Sequence, residues 1–366
     1  MTFELDELLI EDDCRTSALA RRVLAAIPSA VRVGYVADGR EAARPDRDAR
    51  DPFARGKRRM IVMRRRAPFL MGCPAASADF ACCGYLVLVL ASNCPMDCSY
   101  CFLQEYVADN PGLQVYANYD DAFGELERLR HETAGRSLRL GTGELADSLA
   151  FDTLTGISRE LVEYFAARSD LMLELKTKTA EIENLLRVDP HGRTIVSWTL
   201  SPERVWRSSE HRTAAPAARI DAARRVLAAG YKVGFHFDPI IAYPEAAHDY
   251  AELIEHLFDV VPPSDVAFIS MGGLRMTPGL RAAARRRFPA DAMLTGEEVM
   301  APDGRYRAFA PLRLSLFAQI REQIASRAGT TIPLYLCMES ASAHRRVFGA
   351  APGTPAAIGA QLLRGG

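Results

Sequence analysis

Short apolar segments alternate with amphipathic segments along the middle of the chain. The apolar segments have the length of strands and are Tyr85–Ala91, Leu138–Leu140, Leu171–Leu175, Thr194–Leu200, Lys232–Phe237 and Asp265–Met271. The amphipathic segments have the length of helices and lie near Asp121–His131, Ser158–Ala167, Ala180–Leu186, Pro216–Ala229 and Ala247–Phe258. Strands that alternate with helices predict parallel strands joined by crossover helices. The predicted fold class is therefore α/β, a partial TIM-type (β/α)6 barrel with ligands at the carboxyl ends of its strands.

The barrel does not account for the whole chain. We expect an N-terminal extension over residues 1–70, the barrel over residues 71–275, and a C-terminal region over residues 276–366 that packs on the barrel. Residues 30–58 mix Gly, Pro, Asp and Arg, a composition that predicts an exposed loop.

Composition narrows the setting in which the protein works. The 366 residues carry a formal net charge of −1, so the molecule as a whole does not attract nucleic acid by charge. The N-terminus lacks the basic and apolar regions of a secretory signal. The longest apolar run is far shorter than the ~20 residues of a membrane span. These features predict a cytoplasmic protein with no membrane partner.

Positive charge is concentrated in arginine, because the chain has only four lysines. Two clusters stand out, Lys57-Arg58-Arg59 with Arg64-Arg65-Arg66, and Arg285-Arg286-Arg287. Either cluster could bind phosphates. Each is equally typical of a solvated face in an arginine-rich protein.

Three of the eight cysteines follow the first predicted strand with the spacing CxxxCxxC: Cys94, Cys98 and Cys101. Cysteine thiolates are the usual ligands of iron–sulfur clusters, and a cubane cluster has four irons. Three protein ligands leave one iron able to bind another molecule. A structural zinc site normally takes four protein ligands, and a disulfide needs an oxidising compartment. The spacing therefore favours a cluster over zinc, a disulfide or buried thiols.

Polar residues at the ends of the other predicted strands form the expected mouth of the barrel: Glu144, Asp147, Lys176, Lys178, Ser197, His236 and Asp238. Glu144 follows two glycines, which permit close backbone approach. A carboxylate there could receive an ammonium group. The two lysines are half of the chain's total, yet they are also compatible with ordinary strand ends. His236 has a structural interpretation as well as a functional one.

The cysteine spacing resembles the signature of the radical S-adenosylmethionine (SAM) enzymes. In that superfamily SAM binds the fourth iron of a [4Fe-4S] cluster, and its reductive cleavage gives a 5′-deoxyadenosyl radical. Over roughly residues 70 to 340 the chain resembles the spore photoproduct lyase family by motif order and spacing. The segments that carry this resemblance are Phe-Leu-Gln after the third cysteine, Asp-Ser-Leu-Ala-Phe-Asp at 147–152, Lys-Thr-Lys at 176–178, Gly-Tyr-Lys-Val-Gly-Phe at 230–235 with Asp238-Pro239-Ile240, and Gly-Arg-Tyr at 304–306.

The resemblance implies a partial β/α barrel, a [4Fe-4S] cluster, SAM, and radical reversal of a thymine dimer in DNA. It also implies a low-potential electron donor of the flavodoxin or ferredoxin type. Matched residue by residue, Asp147, Lys178 and Ser197 would contact SAM. Arg305 and Tyr306 would contact a nucleic-acid-like substrate, unless they form an exposed turn.

One departure from the family changes the expected chemistry. The lyases have a cysteine upstream of the segment that begins at Asp147, and it donates a hydrogen atom to the product radical. This chain has Glu144 at that position, and a carboxylic acid O–H bond is too strong for the role. Phe102 also replaces one of the family's two tyrosines, which leaves Tyr100 and interrupts a cysteine–tyrosine radical relay.

Two explanations for Glu144 compete. In the first, another thiol supplies the hydrogen atom, although each candidate taken singly is more typical of a small buried hydrophobe. The candidates are Cys73, Cys82, Cys83 and Cys337. In the second, which we favour, the substrate differs and Glu144 binds the SAM ammonium group, as a Gly-Gly-Glu motif does in many radical SAM enzymes, or acts as a general base.

The sequence therefore predicts a radical SAM enzyme of the spore photoproduct lyase type whose photoproduct repair is in question. The predicted catalytic residues are Glu144, Tyr100 and Cys337. The alternatives are radical modification of a peptide or small metabolite, and a non-catalytic iron–sulfur or DNA-binding relative.

Overall fold

The computed structural model describes residues 4–74, 80, 83–133, 136–353 and 358–359. Its strands are β1 (Glu7–Glu11), β2 (Arg32–Val36), β3 (Arg59–Met63), β4 (Leu70–Gly72), β5 (Leu86–Leu88), β6 (Ala91–Ser92), β7 (Asp97–Cys98), β8 (Leu113–Tyr116), β9 (Leu138–Gly141), β10 (Leu171–Thr177), β11 (Thr194–Thr199), β12 (Glu210–His211), β13 (Lys232–Ile240), β14 (Val266–Gly273), β15 (Arg275–Met276), β16 (Glu298–Met300), β17 (Tyr306–Ala308) and β18 (Leu334–Leu336). Its α-helices are α1 (Ala18–Ala26), α2 (Gly39–Ala42), α3 (Pro52–Gly56), α4 (Leu103–Tyr106), α5 (Asp120–Glu132), α6 (Asp152–Thr155), α7 (Ile157–Ala166), α8 (Glu203–Ser209), α9 (Pro216–Ala228), α10 (Ala246–Val260), α11 (Pro278–Arg287), α12 (Ala310–Ala328) and α13 (Ala341–Phe348).

The largest sheet has eight strands in the order β18-β14-β13-β11-β10-β9-β5-β4. Its six inner strands are the six predicted from the apolar segments, and they are parallel to one another. Their residues are mostly apolar and buried, as expected for parallel strands covered on both faces. The strand β18 extends the sheet in parallel at one edge, and β4 pairs antiparallel at the other. This sheet is the predicted partial barrel.

Four of the five predicted helices are present, as α5, α7, α9 and α10. The prediction over residues 180–186 is wrong, because that segment holds only the start of a 3₁₀ turn, Leu185–Arg187. A tertiary contact holds this segment, since the Asn184 amide donates to the carbonyl and carboxylate of Asp152 at 2.9 and 3.0 Å. These bonds tie residue 184 to the start of α6, 32 residues earlier in the chain.

A second sheet, in the order β2-β1-β3-β8-β6, occupies the N-terminal part of the fold. The prediction of an exposed loop over residues 30–58 is wrong, because this segment contains β2, α2 and α3. The aspartates that suggested a loop are helix N-caps: Asp38 and Asp51 accept hydrogen bonds from the N–H groups of Arg40 and Ala54. Two strands of this sheet, β6 and β8, come from beyond residue 70. The predicted division of the chain into regions at residues 70 and 275 stays a prediction.

The arginine-rich clusters are held by acidic partners inside the protein. Lys57 is 1% exposed and lies 3.1 Å from Asp97 Oδ1. Arg58 binds Asp6, and Arg287 binds Asp97 with both contacts at 3.0 Å. These pairs favour structural ion pairing over phosphate binding.

A small antiparallel sheet, β15-β17-β16, lies beyond the barrel strands and leads into the helices α12 and α13. Tyr306 begins β17, and Arg305 is the residue that precedes it. Across the described part of the chain, no helix combines the length and apolar character needed to cross a bilayer.

Candidate active site

A cavity of about 500 Å³ lies at the carboxyl ends of the large sheet's strands. It brings together most of the residues that the sequence singled out: Cys94, Cys98, Tyr100, Cys101, Glu144, Asp147, Lys176, Lys178, His236, Asp238, Arg305 and Cys337. Two of the predicted residues, Ser197 and Tyr306, are not among the described residues that line it. Of the alternative thiols, Cys73 and Cys83 line it as well, and Cys82 lies outside the described residues.

The loop that carries the three clustered cysteines is fixed by the protein around it. The strand β7 ends at Cys98 and pairs with β12, and the Ser99 N–H donates to the Ser209 carbonyl at 2.8 Å. The side-chain amide of Gln104 donates to the Ser99 carbonyl at 2.7 Å. The buried ammonium of Lys57 donates to the Met96 carbonyl. The loop that carries the thiols is therefore held by hydrogen bonds and an ion pair from the residues around it.

The spacing of these thiols suits a polynuclear centre better than a single ion. One tetrahedral zinc with Zn–S bonds of about 2.3 Å requires sulfurs roughly 3.8 Å apart. Among the described residues, only the exposed group His248, Asp249 and Glu252 brings three such ligand atoms within 4.8 Å of one another. The Sγ atoms of Cys94, Cys98 and Cys101 do not all lie within 4.8 Å of one another. They are close enough to influence one another, because Cys101 and Cys94 both raise the pKa of Cys98 beyond the larger rise that burial causes.

Glu144 forms an ion pair with Lys176 at the mouth of the barrel. The Lys176 ammonium donates to Glu144 Oε1, and no hydrogen bond from the described residues reaches Oε2. The pairing requires the β9 loop to lie close to β10. Gly143 permits this, because a Cβ there would lie 2.6 Å from Lys176 Cβ. Burial lowers the pKa of Lys176, but Glu144 outweighs that effect and raises it overall, so the lysine stays charged.

Asp147 uses its carboxylate to hold the end of β10. Its Oδ2 accepts from the Lys178 N–H at 2.7 Å, and its Oδ1 accepts from the Thr177 hydroxyl at 2.8 Å and the Leu149 N–H at 3.0 Å. The ammonium of Lys178 lies 5.8 Å from the ring centroid of Tyr100. Lys178 also lowers the pKa of Cys98 against the stronger effect of burial. The arrangement places one positive charge beside the cysteine loop.

Beneath the cavity, Glu174 on β10 is the centre of a buried polar network that sequence reasoning missed. Its Oε1 accepts from the Ser197 hydroxyl at 2.7 Å and lies 2.8 Å from His236 Nε2, and its Oε2 pairs with Arg139. His236 Nδ1 lies 2.6 Å from the Ser270 hydroxyl. The signal was present, since Glu174 is a charged residue between two leucines of a buried strand.

Two residues of the predicted site, Ser197 and His236, belong to this buried network. Ser197 is fully buried, and its hydroxyl faces Glu174 rather than the cavity. His236 is fixed between Glu174 and Ser270, which supports the structural interpretation of this histidine. Burial lowers the pKa of His236 in spite of Glu174, so the imidazole is neutral near pH 7.

A second buried network lies behind the cysteine loop. The Tyr100 hydroxyl donates to Glu210 Oε1, and the Ser201 hydroxyl donates to the same oxygen at 2.9 Å. Arg219 Nη2 donates to Glu210 Oε2 at 2.5 Å. Because Glu210 and His211 form the strand that pairs with Asp97 and Cys98, this network supports the loop directly.

The Glu210 network predicts a loss of stability in acid. Burial would raise the pKa of Glu210, but Arg219 and Lys178 lower it from 4.5 to about 2. A depressed carboxyl pKa stabilises the fold above the unfolded-state value, and this contribution disappears as the pH falls from about 4.5 towards 2. We expect the free energy of unfolding to decrease over that interval in denaturant titrations. A Glu210→Gln variant should show a shallower decrease, and an identical slope in both proteins would contradict the assignment.

Known proteins are similar to this chain in sequence. A family model described as spore photoproduct lyase matches residues 46–308. The spore photoproduct lyase of Clostridium acetobutylicum is 25% identical over 239 residues, which cover 65% of this chain and 69% of the relative. That of a Geobacillus species is 29% identical over 233 residues, which cover 63% and 66%.

Solved structures show the same fold. A spore photoproduct lyase double mutant with bound AdoMet and dinucleoside spore photoproduct aligns with a TM-score of 0.79 at 21% identity, covering 92% of this chain and 99% of that one. A spore photoproduct lyase complexed with dinucleoside spore photoproduct aligns with a TM-score of 0.80 at 20% identity over the same shares. The prediction of a partial barrel is confirmed.

A partial barrel with a three-cysteine loop at its mouth defines the radical SAM class of enzymes. Within that class, the chain belongs to the spore photoproduct lyase family, since the family model covers more than half of its length. The family prediction made from motif order is thereby confirmed, and so is the predicted class of enzyme. A [4Fe-4S] cluster and SAM are the cofactors of that family.

Proposed function

We propose that this protein is a radical SAM enzyme that acts on a pyrimidine lesion in DNA, with the cluster bound by Cys94, Cys98 and Cys101. The observation that carries the proposal is the convergence of these thiols, Glu144 and Lys178 on one cavity at the strand ends. Relatives with this fold support it, because one is described with bound AdoMet and dinucleoside spore photoproduct.

Cys94, Cys98 and Cys101 would hold the cluster, which together with bound SAM would supply the radical chemistry of the class. The protein's own residues would orient SAM. Lys178, beside Tyr100 and Cys98, is placed to bind a carboxylate. Glu144 has one oxygen on Lys176 and is placed to accept an ammonium group with the other. These two charges match the two ends of the methionine part of SAM.

Asp147 and Ser197 contribute by positioning. Asp147 fixes the backbone at Lys178, and Ser197 helps to fix Glu174 beneath the cavity. Asp147 also lines the cavity, so it remains a candidate for direct contact with SAM. For Ser197 we propose an indirect role, since its hydroxyl is used by Glu174.

The test is anaerobic incubation of the reconstituted protein with SAM, dithionite and dinucleoside spore photoproduct. We expect 5′-deoxyadenosine together with repaired dinucleotide. Formation of 5′-deoxyadenosine without repair would contradict the lesion substrate and leave the radical SAM chemistry standing. Adding a flavodoxin or ferredoxin in place of dithionite tests the proposed electron donor.

A Glu144→Gln variant tests the role of Glu144, which stands where the family has a cysteine. Loss of a charge-assisted hydrogen bond of about 1.5–3 kcal/mol should weaken SAM binding by roughly tenfold to a hundredfold. Equilibrium binding of SAM to the cluster-loaded protein measures this. The matched control is Glu105→Gln, which neutralises another cavity-lining carboxylate, bonded to Thr277. Equal SAM affinity in the wild type and Glu144→Gln would remove Glu144 from the binding site.

A second candidate function has one observation in its favour. The Glu144–Lys176 ion pair places charges where the family has a thiol, and such a pair suits a polar substrate. Radical modification of a peptide or small metabolite is therefore the alternative. SAM cleavage that is stimulated by such a compound, and not by the photoproduct, would support it.

A further inference from the structure

Two large aromatic side chains are exposed at the mouth of the cavity. Phe102 and Tyr106 line the cavity, and 37% and 52% of their surfaces are exposed. Among the described residues, no other exposed large apolar side chain lines this cavity. Apolar surface that stays exposed beside a cavity is typical of a surface that binds a ligand.

The two rings form a corner that fits a flat molecule. Phe102 directly precedes α4 and Tyr106 ends it, so their spacing of four residues places both side chains on one face of the helix. Their ring centroids are 5.8 Å apart, and their planes meet at 65°. A planar ring that stacks on one of them therefore meets the other edge to face. Both arrangements are favourable between aromatic rings.

The helix that carries these rings is fixed on its buried side. Leu103 and Gln104 are both buried. The Gln104 side-chain amide donates to the Ser99 carbonyl at 2.7 Å, and its oxygen accepts from Arg287 Nη1 at 2.7 Å. The rings are therefore already oriented before a ligand arrives, which lowers the entropy cost of binding one.

The charge beside the rings favours a base over a phosphate. Glu105 lies between them in sequence and accepts a hydrogen bond from the Thr277 hydroxyl. Its carboxylate lies against the first turn of α11, where a side chain at Gly279 would collide with it. A carboxylate thus already occupies the helix N-terminus that would attract another anion. Because α4 also has no lysine or arginine to bind a phosphate, the rings are suited to the flat face of a base.

We infer that Phe102 and Tyr106 form a stacking site for the nucleobase next to the lesion, and that this base is unpaired when it binds. The inference rests on the proposed function and names the form of the substrate. The lesion has to lie beside the cysteine loop, where Cys94 and Cys98 are buried, so the more exposed rings are left for its neighbour. Every base has a flat face, so the site selects an unpaired base rather than a sequence.

Two oligonucleotides that differ only in the flanking bases test the site. Both contain the spore photoproduct with one nucleotide on each side, and in the second oligonucleotide the flanking sugars carry no base. Binding to the reconstituted protein with SAM is measured without a reductant, so that no turnover occurs. We expect the wild type to bind the first oligonucleotide roughly fivefold to 150-fold more tightly, the effect of stacking one base on an aromatic side chain.

Substitution of Tyr106 tests whether this difference arises at the rings. Tyr106→Ala should remove most of the difference between the two oligonucleotides, and Tyr106→Trp should restore it, because an indole ring also stacks. The matched control is Tyr35→Ala, since Tyr35 is equally exposed on β2 and is not among the residues that line the cavity. It should keep the wild-type difference. Equal affinities in the wild type, or an unchanged difference in Tyr106→Ala, would overturn the inference.

Photo-cross-linking locates the base directly. With 5-iodouracil as the flanking base, irradiation of the complex should attach the oligonucleotide to the peptide that contains Phe102 and Tyr106. Attachment only to other segments would overturn the inference.

Failure of this inference can be told apart from failure of the proposed function. If the wild type repairs the photoproduct but binds both oligonucleotides equally, only the stacking site is wrong. If it binds neither oligonucleotide, the proposed substrate is wrong and the stacking site with it.

Discussion

A Cys98→Ala variant is expected to lose both its iron and its cleavage of SAM. Cys98 ends the strand β7 between the other two ligands, and its removal leaves the cluster with only two of its three protein thiolates. We expect 5′-deoxyadenosine formation to fall by at least roughly a thousandfold, the scale seen when an essential member of a catalytic unit is removed. Iron and sulfide analysis and product quantification measure the two losses.

The control for Cys98→Ala is Cys14→Ala, which removes a thiol that is equally buried and remote from the cavity. It should keep its iron and its activity. If Cys98→Ala retained the cluster while Cys14→Ala lost it, the ligand assignment would be wrong.

The substitution Arg219→Met is expected to lower the free energy of unfolding more than any other substitution named above. Arg219 and Glu210 are both fully buried, and the guanidinium also donates to the Thr199 carbonyl at 2.8 Å. Removing one member of a buried ion pair leaves an uncompensated charge and costs about 3–5 kcal/mol. The decrease should appear as a lower denaturant midpoint. Because Glu210 also binds Tyr100, the variant should retain its cluster less well.

Arg225→Met provides the matched control, since Arg225 is on the same helix, α9, and pairs with Glu183 near the surface. An exposed pair of this kind contributes no more than about 1 kcal/mol. A double variant, Arg219→Met with Glu210→Gln, should recover part of the stability. Equal midpoints for Arg219→Met and Arg225→Met would show that the buried pair does not have this role.

The sequence predicts the barrel well because parallel strands covered on both faces are continuous apolar segments. The strands β10, β11 and β13 could be found for that reason alone. The prediction of a loop over residues 30–58 is wrong because single aspartates occur equally as loop residues and as helix N-caps. The distinction depends on whether a buried face follows, as it does at Phe53.

The candidate site could be predicted where chemistry follows local spacing. Cys94, Cys98 and Cys101 are close in sequence, and Glu144 follows a strand directly. The Glu174 network could not be predicted, because Arg139, Ser197 and His236 come from separate strands and meet only through strand register. Cys337 could be singled out in the sequence, but its place in the same cavity as residues far earlier in the chain is set by the fold.

The proposed function depends on one [4Fe-4S] cluster in the loop that carries Cys94, Cys98 and Cys101. The direct test is to purify the full chain without oxygen, reconstitute it with iron and sulfide, and measure bound iron and the 5′-deoxyadenosine formed from SAM and dithionite. We predict about four irons per chain and SAM-dependent 5′-deoxyadenosine. A chain that stays free of iron and sulfide after reconstitution, and forms no 5′-deoxyadenosine, would contradict the account.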